Sequence, residues 1–480
     1  MTKLSNYEPK NVLHYFEELT KIPRGSGNEK QVSDYLKKFA EDRNLEVIQD
    51  DVMNIIIKKP GSKGSEQKDA VILQGHMDMV NEKNNDSDHD FDKDALKLRV
   101  VEGNLYATGT TLGADNGIAV AYALAILDNA ELIHPPLEVL ITVEEETGMF
   151  GAASVLGEHF KGKKLVNIDS EEEGTFLVSC AGGARQTIKL PVTKKEAKSP
   201  AYHLQITGLK GGHSGMDIIK ERGNSNVLLG RALQMLKDQV DFDLTDVKGG
   251  SKNNAIPREA EAIISSNTSL KELENFISTI ESTLLAEINT QDPDFKLILK
   301  AINSEKEVYD DLTKSNIMNL LFLLPNGVTS MSQDMPGLVE TSLNLGVVSE
   351  NEDYLHIDFA VRSSVESKKE LLLTKVKHLG ETFGGEVIIT SSYPAWQYEK
   401  DSELRDSFIK VYENKYNKSP KIEAIHAGLE CGILAGRISG LDMISLGPNL
   451  YDVHTPNEHM DLQSVKNVYE FLLDVLKHLA

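Results

Sequence analysis

Four apolar runs, each followed closely by a histidine or a carboxylate, constrain this fold most strongly. An apolar run bounded by polar residues predicts a buried strand of a parallel sheet. In open α/β sheets, the carboxyl ends of the strands form the edge at which ligands bind. We therefore expect one site assembled from several strands. The runs and the residues that follow them are 71–75 with His76 and Asp78, 137–143 with Glu144, Glu145 and Glu146, 164–168 with Asp169, and 441–446 with His454.

The order of the predicted elements indicates two domains, one inserted into the other. Helices and strands alternate up to about residue 182 and again after about residue 392, which is typical of a βαβ-wound sheet. Residues 183–391 instead predict helices packed on largely antiparallel strands, an α+β arrangement of the ferredoxin-like kind that runs nearly twice. We expect an α/β domain of residues 1–182 and 392–480, with a central, mostly parallel sheet flanked by helices, and an inserted domain of residues 183–391.

Charge and composition disfavour two classes of partner and indicate a compartment. The 74 acidic residues outnumber the 51 basic ones, and the net charge of −23 disfavours nucleic acid and anionic membranes. Cys180 and Cys431 lie far apart and form no CxxC motif, so a reducing cytoplasm is the expected compartment. The amino-terminal residues lack the apolar segment of a signal peptide, and no apolar run is long enough to span a membrane.

Five residues are candidate metal ligands. A catalytic zinc takes three protein ligands and a water molecule, so five groups are too many for one tetrahedral ion. With one shared carboxylate they suit two neighbouring ions, an arrangement that catalyses hydrolysis. Nitrogen and oxygen ligands without thiolate favour Zn²⁺, with Co²⁺ or Mn²⁺ as substitutes. The five are His76, Asp115, Glu146, Asp169 and His454, of which Asp115 lies in the turn 110–117 before an apolar helix.

Two further carboxylates have predicted roles beside these five. Asp78 follows His76 by two residues, so both side chains point to the same side of a strand, and Asp78 can hold the other ring N–H of His76. Neighbouring side chains on an extended segment face opposite ways. If Glu146 binds metal, Glu145 therefore stays free to act as a general base toward water. The alternative is that residues 144–146 form a solvated acidic turn.

With these motifs, the chain resembles the aminoacylhistidine dipeptidases, the Xaa-His or bacterial carnosinase type. They belong to the di-zinc family that includes peptidase T, carboxypeptidase G and aminoacylase. The resemblance implies a zinc-dependent dipeptidase that hydrolyses unblocked, carnosine-like dipeptides, and a homodimer held together through the inserted lid domain. It covers essentially the whole chain and rests on segments 22–29, 75–80, 110–117, 145–149, 167–171, 208–215, 254–258 and 452–458.

The resemblance also implies a role for each matched residue. His76 and Asp169 would bind one zinc, Glu146 and His454 the other, and Asp115 would bridge them. Asp78 would orient His76, and Glu145 would be the general base. A cis peptide is expected after Asp115. His213, in a glycine-rich turn of the lid, would polarise the scissile carbonyl or stabilise the oxyanion, from its own chain or from the partner subunit.

Four more residues are candidates for contact with a small peptide substrate: Asn254, Arg362, His426 and Glu430. Arg362 has the geometry to hold a free carboxylate as a bidentate pair, although a surface arginine at a strand end is the alternative. A tripeptidase or an N-acyl amino acid deacylase of the same family is the main alternative function. A non-catalytic metal-binding protein is disfavoured, because it would have no need of a base at Glu145.

Overall fold

The structure is a computed structural model that describes residues 4–303 and 307–480. It divides into two compact units. The first comprises the chain up to Ser179 together with Tyr398–Ala424 and Leu429–Ala480, and the second comprises Cys180–Gln397 and Ile425–Gly428. The domain boundaries at 182/183 and 391/392 stay a prediction, and nothing in the sequence indicated that residues 425–428 group with the second unit.

Helices and strands are numbered in chain order. The α-helices are α1 Lys10–Leu19, α2 Lys30–Glu41, α3 Ala114–Asp128, α4 Glu145–Gly148, α5 Phe150–Ser154, α6 Ser225–Lys237, α7 Leu270–Ile288, α8 Asp311–Leu323, α9 Glu366–Thr382, α10 Glu403–Tyr416, α11 Glu430–Arg437 and α12 Leu462–Leu479. Short 3₁₀ turns lie at Leu4–Asn6, Gly157–His159 and Ile218–Lys220. Within the described ranges, every helix is too short or too polar to cross a membrane.

The strands complete the element list. They are β1 Glu46–Gln49, β2 Ile55–Lys59, β3 Val71–His76, β4 Leu98–Val101, β5 Asn104–Ala107, β6 Leu137–Thr142, β7 Lys164–Asn167, β8 Thr175–Cys180, β9 Gly182–Pro191, β10 Lys194–Glu196, β11 Ala201–Thr207, β12 Gly212–His213, β13 Asp243–Gly249, β14 Ala255–Ile256, β15 Ala260–Ser265, β16 Lys296–Ala301, β17 Glu307–Tyr309, β18 Gly327–Met331, β19 Val339–Asn351, β20 Tyr354–Ser363, β21 Glu386–Tyr393, β22 Lys421–Ile425, β23 Asp442–Ser445, β24 Leu450–Tyr451 and β25 His459–Asp461.

The main sheet of the first unit is mixed and runs β1-β2-β6-β3-β7-β23-β8-β22. Its centre, β6-β3-β7-β23, is parallel, and β2 and β8 pair with that centre in antiparallel fashion. Every residue of β3 and β6 is buried, as expected for parallel strands covered on both faces. The four apolar runs are therefore confirmed as adjacent parallel strands, and their carboxyl ends lie at one edge.

The second unit contains the same order of elements twice. One repeat is β11-α6-β13-β15-α7-β16, and it is inserted after β9 of the other, β9-α8-β19-β20-α9-β21. Within the sheet the repeats run β16-β11-β15-β13 and, in mirrored order, β19-β20-β9-β21, and β13 pairs with β19 to join them. Each repeat has the ferredoxin-like βαββαβ order, so the predicted doubling is confirmed.

Several short strands were not predicted. A small sheet in the order β24-β25-β5-β4 belongs to the first unit, and it carries the residues on either side of the His454 loop. Each of its strands has four residues or fewer, and β4 and β5 are only partly buried. Such strands contain no apolar run long enough to be recognised from sequence.

Candidate metal centre

His76 is the last residue of β3, and it is buried. Its Nε2 atom lies 3.1 Å from Oδ1 of Asp115 and 3.5 Å from Oδ1 of Asp169. The strand register explains the second approach: Gln74 of β3 pairs with Asn167 of β7, and His76 and Asp169 each lie two residues further on. The parallel pairing thus brings a histidine and a carboxylate to the same edge of the sheet.

His454 approaches the same aspartate from the other side. Its Nε2 atom lies 3.1 Å from Oδ2 of Asp115 and 3.0 Å from Oε2 of Glu146. Asp115 therefore offers one carboxylate oxygen to each of the two histidines. The five residues form two groups that share Asp115, with Asp169 in one group and Glu146 in the other. The peptide bond between Asp115 and Asn116 is cis, as expected.

The distances in these groups fit donors around divalent cations. Two donors bound to one tetrahedral zinc at about 2.0–2.1 Å lie about 3.3 Å from each other. The four nitrogen–oxygen distances in the site range from 3.0 to 3.5 Å. One ligand atom from each of His76, Asp115 and Glu146 also lies within 4.8 Å of the other two. Imidazole nitrogens and carboxylate oxygens together suit zinc and neighbouring first-row ions.

Asp78 holds both the histidine and the Glu145–Glu146 turn. Its fully buried carboxylate lies 3.2 Å from Nδ1 of His76 and accepts hydrogen bonds from the backbone N–H groups of Glu145 and Glu146 and from the Ser26 hydroxyl. This contact directs Nε2 of His76 toward Asp115 and Asp169. The hydrogen bonds that Asp78 accepts from the backbone of Glu145 and Glu146 were not predicted from the sequence.

The expectation of an extended segment at residues 145 and 146 was wrong. Both residues lie in the short helix α4, where neighbouring side chains are separated by about 100° around the helix axis. Asp78 accepts the N–H groups that have no partner at the start of a helix, and this favours the helical turn over a strand. Glu145 and Glu146 still point in different directions, although for a different reason from the one predicted.

The electrostatics of the site favour bound positive charge. Burial raises the pKa of Asp169 to about 6, and burial together with nearby carboxylates raises the pKa of Glu145 well above its usual range. Hydrogen bonds to Asp115 and Glu146 raise the pKa of His454 to about 11. Burial opposes ionisation of Asp115, but its hydrogen bonds with His454 and His76 hold the pKa of this carboxyl below its usual range. Divalent cations would neutralise the negative charge of this cluster of carboxylates.

Two buried charged residues, which were not predicted from the sequence, anchor the segments that carry the candidate ligands. The Glu458 carboxylate accepts hydrogen bonds from four consecutive backbone N–H groups, those of residues 112–115. The Arg24 guanidinium donates to the carbonyl oxygens of Met77, Asp78 and Gly113. Both lie in motifs that carried the family resemblance, but charged residues are usually exposed, so their burial could not be read from the sequence.

The second unit brings His213, Arg362 and His426 together around Gly215. A Cβ atom at Gly215 would lie 2.5 Å from the His426 carbonyl oxygen, 3.1 Å from Cε1 of His213 and 3.3 Å from Nε of Arg362. Nδ1 of His213 accepts the N–H groups of Gly215 and Met216, so the proton of the neutral ring lies on Nε2. Burial and the positive charge of Arg362 lower the pKa of His213, which favours this neutral form.

The remaining predicted substrate contacts have different environments. His426 is buried and hydrogen-bonded through Nε2 to the Ser342 hydroxyl, and burial, reinforced by Arg362, lowers its pKa to about 3. Asn254 is exposed, and its carbonyl oxygen accepts the N–H of Ser214. Glu430, in the first unit, is fully buried, and burial raises its pKa to about 7. Complete burial does not support the predicted substrate contact of Glu430.

Comparison with known proteins identifies the family. The model of peptidase family M20/M25/M40 matches residues 72–478, which is most of the chain and includes all five candidate ligands. The chain belongs to this family. Membership confirms the predicted family of metallopeptidases and a hydrolase that acts on peptide bonds.

Full-length relatives support the M20 assignment. The cytosol non-specific dipeptidase of Escherichia coli (strain K12) is 36% identical over 482 residues, which cover 100% of this chain and 99% of that protein. The crystal structure of aminoacylhistidine dipeptidase from Vibrio alginolyticus superposes with a TM-score of 0.95 at 34% identity, and it covers 99% of this chain and 98% of that one. Aminopeptidase PepT from Bacillus cereus shares the fold alone, with a TM-score of 0.58 at 16% identity over 98% of this chain and 99% of that one.

Proposed function

We propose that this M20 chain is a metal-dependent dipeptidase that hydrolyses unblocked dipeptides, with Xaa-His dipeptides preferred. The main support for the proposal is the position of Asp115, which presents one carboxylate oxygen to His76 and the other to His454. That arrangement supplies two half-sites with a shared carboxylate, as a pair of catalytic ions requires. The printed names of the Escherichia coli and Vibrio alginolyticus relatives support the substrate class.

In this proposal each half-site holds one Zn²⁺, with Co²⁺ or Mn²⁺ as substitutes. His76 and Asp169 would hold one ion, Glu146 and His454 would hold the other, and Asp115 would be shared between the two. When bound, the ions polarise the scissile carbonyl group and make a water molecule more acidic. Asp78 holds Nδ1 of His76, 3.2 Å away, and so leaves the Nε2 lone pair free to bind an ion beside Asp115 and Asp169.

Glu145 is the proposed general base. Its backbone is fixed through the hydrogen bond from its N–H to Asp78, and its carboxylate belongs to neither group of ligands. In the reaction, Glu145 takes a proton from the attacking water and transfers it to the amine that leaves when the peptide bond breaks. The proton is thus conserved, and the products are two amino acids, one with a new carboxylate and one with a free amino group.

His213 is the proposed donor to the scissile carbonyl oxygen. The N–H groups of Gly215 and Met216 occupy Nδ1, so Nε2–H remains to donate as negative charge develops on that oxygen. We propose Arg362 for the substrate carboxylate, with Asn254 as a polar contact and His426 as a support of the same cluster. His213 acts from its own chain or from a partner subunit.

A homodimer formed through the second unit is part of the proposal, as is a cytoplasmic location. The family resemblance supports the dimer, and α8 in this unit leaves Leu312, Phe322 and Leu323 exposed. The printed name of the Escherichia coli relative supports the location. The net charge of −23 supports the expectation that neither nucleic acid nor an anionic membrane is a partner.

The test is hydrolysis of β-alanyl-histidine and several α-dipeptides before chelation, after chelation, and after the return of zinc. We expect cleavage that is lost on chelation and restored by zinc, fastest for histidine-ended dipeptides. N-acyl amino acids and tripeptides serve as matched substrates for the alternative functions. Cleavage of only those substrates by the zinc-loaded protein would show a deacylase or a tripeptidase instead.

A further inference from the structure

A row of buried polar side chains crosses the parallel centre of the main sheet, close beside the proposed metal ligands. Its members are Glu430 of α11, Thr142 of β6, Gln74 of β3, Asn167 of β7 and Ser445 of β23, which we call the buried polar chain. Each is no more than 2% exposed. Burial of polar groups in a sheet core is unfavourable unless they are hydrogen-bonded. Four neighbouring strands nevertheless each contribute one. Gln74, Asn167 and Ser445 are in register with one another, and Thr142 is in register with His76.

Continuous hydrogen bonds link the members. The Glu430 Oε2 atom accepts from the Thr142 hydroxyl at 2.7 Å and from Nε2 of Gln74 at 2.5 Å. Oε1 of Gln74 accepts from Nδ2 of Asn167 at 2.6 Å, and Oδ1 of Asn167 accepts from the Ser445 hydroxyl at 2.5 Å. Every donor therefore points toward Glu430, so this residue sets the direction of the whole chain.

The buried polar chain lies close in sequence to the ligand-bearing segments. Gln74 precedes His76 by two residues on the same strand, so the two side chains share a face of β3. Asn167 precedes Asp169 by two residues, and Thr142 ends the strand that leads into the turn of Glu145 and Glu146. Hydrogen bonds between these side chains hold β6, β3 and β7 at fixed relative heights. The same heights determine the spacing of the ligands that follow.

We propose that Glu430 is a positioning residue for the metal centre. As the terminal acceptor of the buried polar chain, it holds the carboxyl ends of β3, β6 and β7 in place and so sets the spacing of His76, Glu146 and Asp169. This inference rests on the proposed function. Glu430 is linked to the centre by hydrogen bonds through Gln74 and Thr142, and its charge also acts on His76 and Asp169. Its complete burial gives it no contact with substrate. Both hydrogen bonds end on Oε2 of Glu430, and its Oε1 atom has no hydrogen-bond partner among the described residues. A single accepting oxygen is therefore sufficient for this role.

The test compares Glu430→Leu, which removes the acceptor, with Glu430→Gln, whose amide oxygen still accepts both hydrogen bonds. The readouts are zinc affinity by competition with a chromophoric chelator, the visible spectrum of the Co²⁺ form, and kcat and KM measured separately. We expect Glu430→Leu to weaken zinc binding about 10- to 100-fold, to change the Co²⁺ spectrum and to lower kcat with little change in KM. We expect Glu430→Gln to restore all three to near wild-type values.

Glu138→Leu is the matched control. Glu138 is another buried carboxylate of β6, but it accepts backbone N–H groups of Lys161 and Gly162 at the opposite end of the strand. This control is expected to lower the unfolding temperature without changing zinc affinity. If Glu430→Leu does not fold, Gln74→Met interrupts the chain at its centre and is expected to have the same effects.

Two results would overturn the inference. In one, zinc affinity, spectrum and kcat are unchanged in Glu430→Leu, or in Gln74→Met where that variant replaces it. In the other, Glu430→Gln is as defective as Glu430→Leu, which would show that the charge matters rather than the hydrogen-bonded positioning. Failure of the proposed function is separately visible, because the wild-type protein would then fail to cleave dipeptides in its zinc-loaded form.

Discussion

At the scale of single residues, the site depends on carboxylates that each have more than one contact. Asp115 contacts both His76 and His454, and Asp78 contacts His76 and accepts hydrogen bonds from two backbone N–H groups of α4. A carboxylate with two oxygens and several lone-pair directions is the side chain that can make such shared contacts. Neither can be replaced by its amide without loss, because the amide nitrogen cannot accept a hydrogen bond or bind a cation.

Glu145, as the proposed general base, should be needed for turnover but not for metal binding. Glu145→Ala is expected to retain its metal and to lower kcat by about 10²–10⁴-fold, the usual contribution of a general base. The metal is retained because Glu145 belongs to neither group of ligands. Metal content by plasma mass spectrometry and kcat on a dipeptide check the two parts together. Near-normal turnover in this variant would contradict the proposed mechanism.

Gly215, in the second unit, lies where a larger side chain would displace the proposed catalytic histidine. Gly215→Ala places a methyl group 2.5 Å from the His426 carbonyl oxygen, and the cluster of His213, Arg362 and His426 must move to accommodate it. We expect kcat to fall by about 100-fold, the usual effect of displacing a catalytic group by about 1 Å. Zinc content should not change, because the proposed ligands lie in the first unit.

Gly327→Ala is the control for that experiment. Gly327 has φ of 87°, and a Cβ atom at this position would have no neighbour within 4 Å, so alanine there meets backbone strain but disturbs no side chain. It is expected to cost about 1 kcal/mol of stability and to leave kcat unchanged. Equal kcat values for the two glycine variants would argue against a catalytic role of the cluster.

At the scale of elements, the ligands are placed by strand ends and by loops that are tied to one another. Glu458 lies four residues after His454 and accepts the N–H groups of residues 112–115, so it joins the loop of one ligand to the turn that carries Asp115. Arg24 joins that turn to the end of β3 through the carbonyl oxygens of Gly113 and Met77. The loops are therefore held by the same kind of buried contact that orders the strands.

The Glu458 contact predicts a large effect on stability. Glu458→Ala leaves four backbone N–H groups without their acceptor, and each buried group left in that state costs about 1–3 kcal/mol. We expect the free energy of unfolding to fall by at least about 3 kcal/mol, and the folded fraction to bind zinc less tightly. Urea denaturation and zinc competition measure these effects. Glu458→Gln, which keeps one accepting oxygen, should lie between this variant and the wild type.

Elements that carry their own periodicity could be predicted, and those set by distant contacts could not. The runs that became β3, β6, β7 and β23 were recognised because buried parallel strands are continuously apolar. The turn at Glu145 could not be recognised, since its helical form depends on Asp78, 67 residues away. Burial of Arg24 and Glu458 likewise depends on neighbours from other parts of the chain. The sequence therefore predicted that the candidate ligands and Asp78 lie together, but not that Arg24 and Glu458 support them.

At the scale of the whole molecule, the chain separates two chemical tasks. The first unit carries the proposed ligands and base, and the second carries His213, Arg362 and His426. The second unit is itself a doubled βαββαβ fold, whose two repeats are joined by β13 and β19. The proposal assigns metal binding and the general base to the first unit, and the donor to the scissile carbonyl and the contacts to the peptide to the second.

Subunit mixing tests whether His213 acts across a dimer. Glu145→Ala and His213→Ala chains are each expected to be nearly inactive alone. If His213 acts in the partner's site, random exchange should restore about a quarter of wild-type activity, because half of the dimers are mixed and each mixed dimer has one intact site. Exchange is verified by mass spectrometry with isotope-labelled chains. Verified exchange without recovery would mean that His213 acts within its own chain or has no catalytic role.

In the proposed mechanism, one carboxylate, Asp115, joins two metal half-sites. The number of zinc ions bound per chain tests it most directly, measured after complete chelation and return of zinc in the wild type and in Asp169→Ala and Glu146→Ala. We expect two ions in the wild type and one in each variant, because each variant removes a proposed ligand of one half-site only. A single ion in the wild type, or the same loss of both ions in each variant, would contradict the shared role of Asp115.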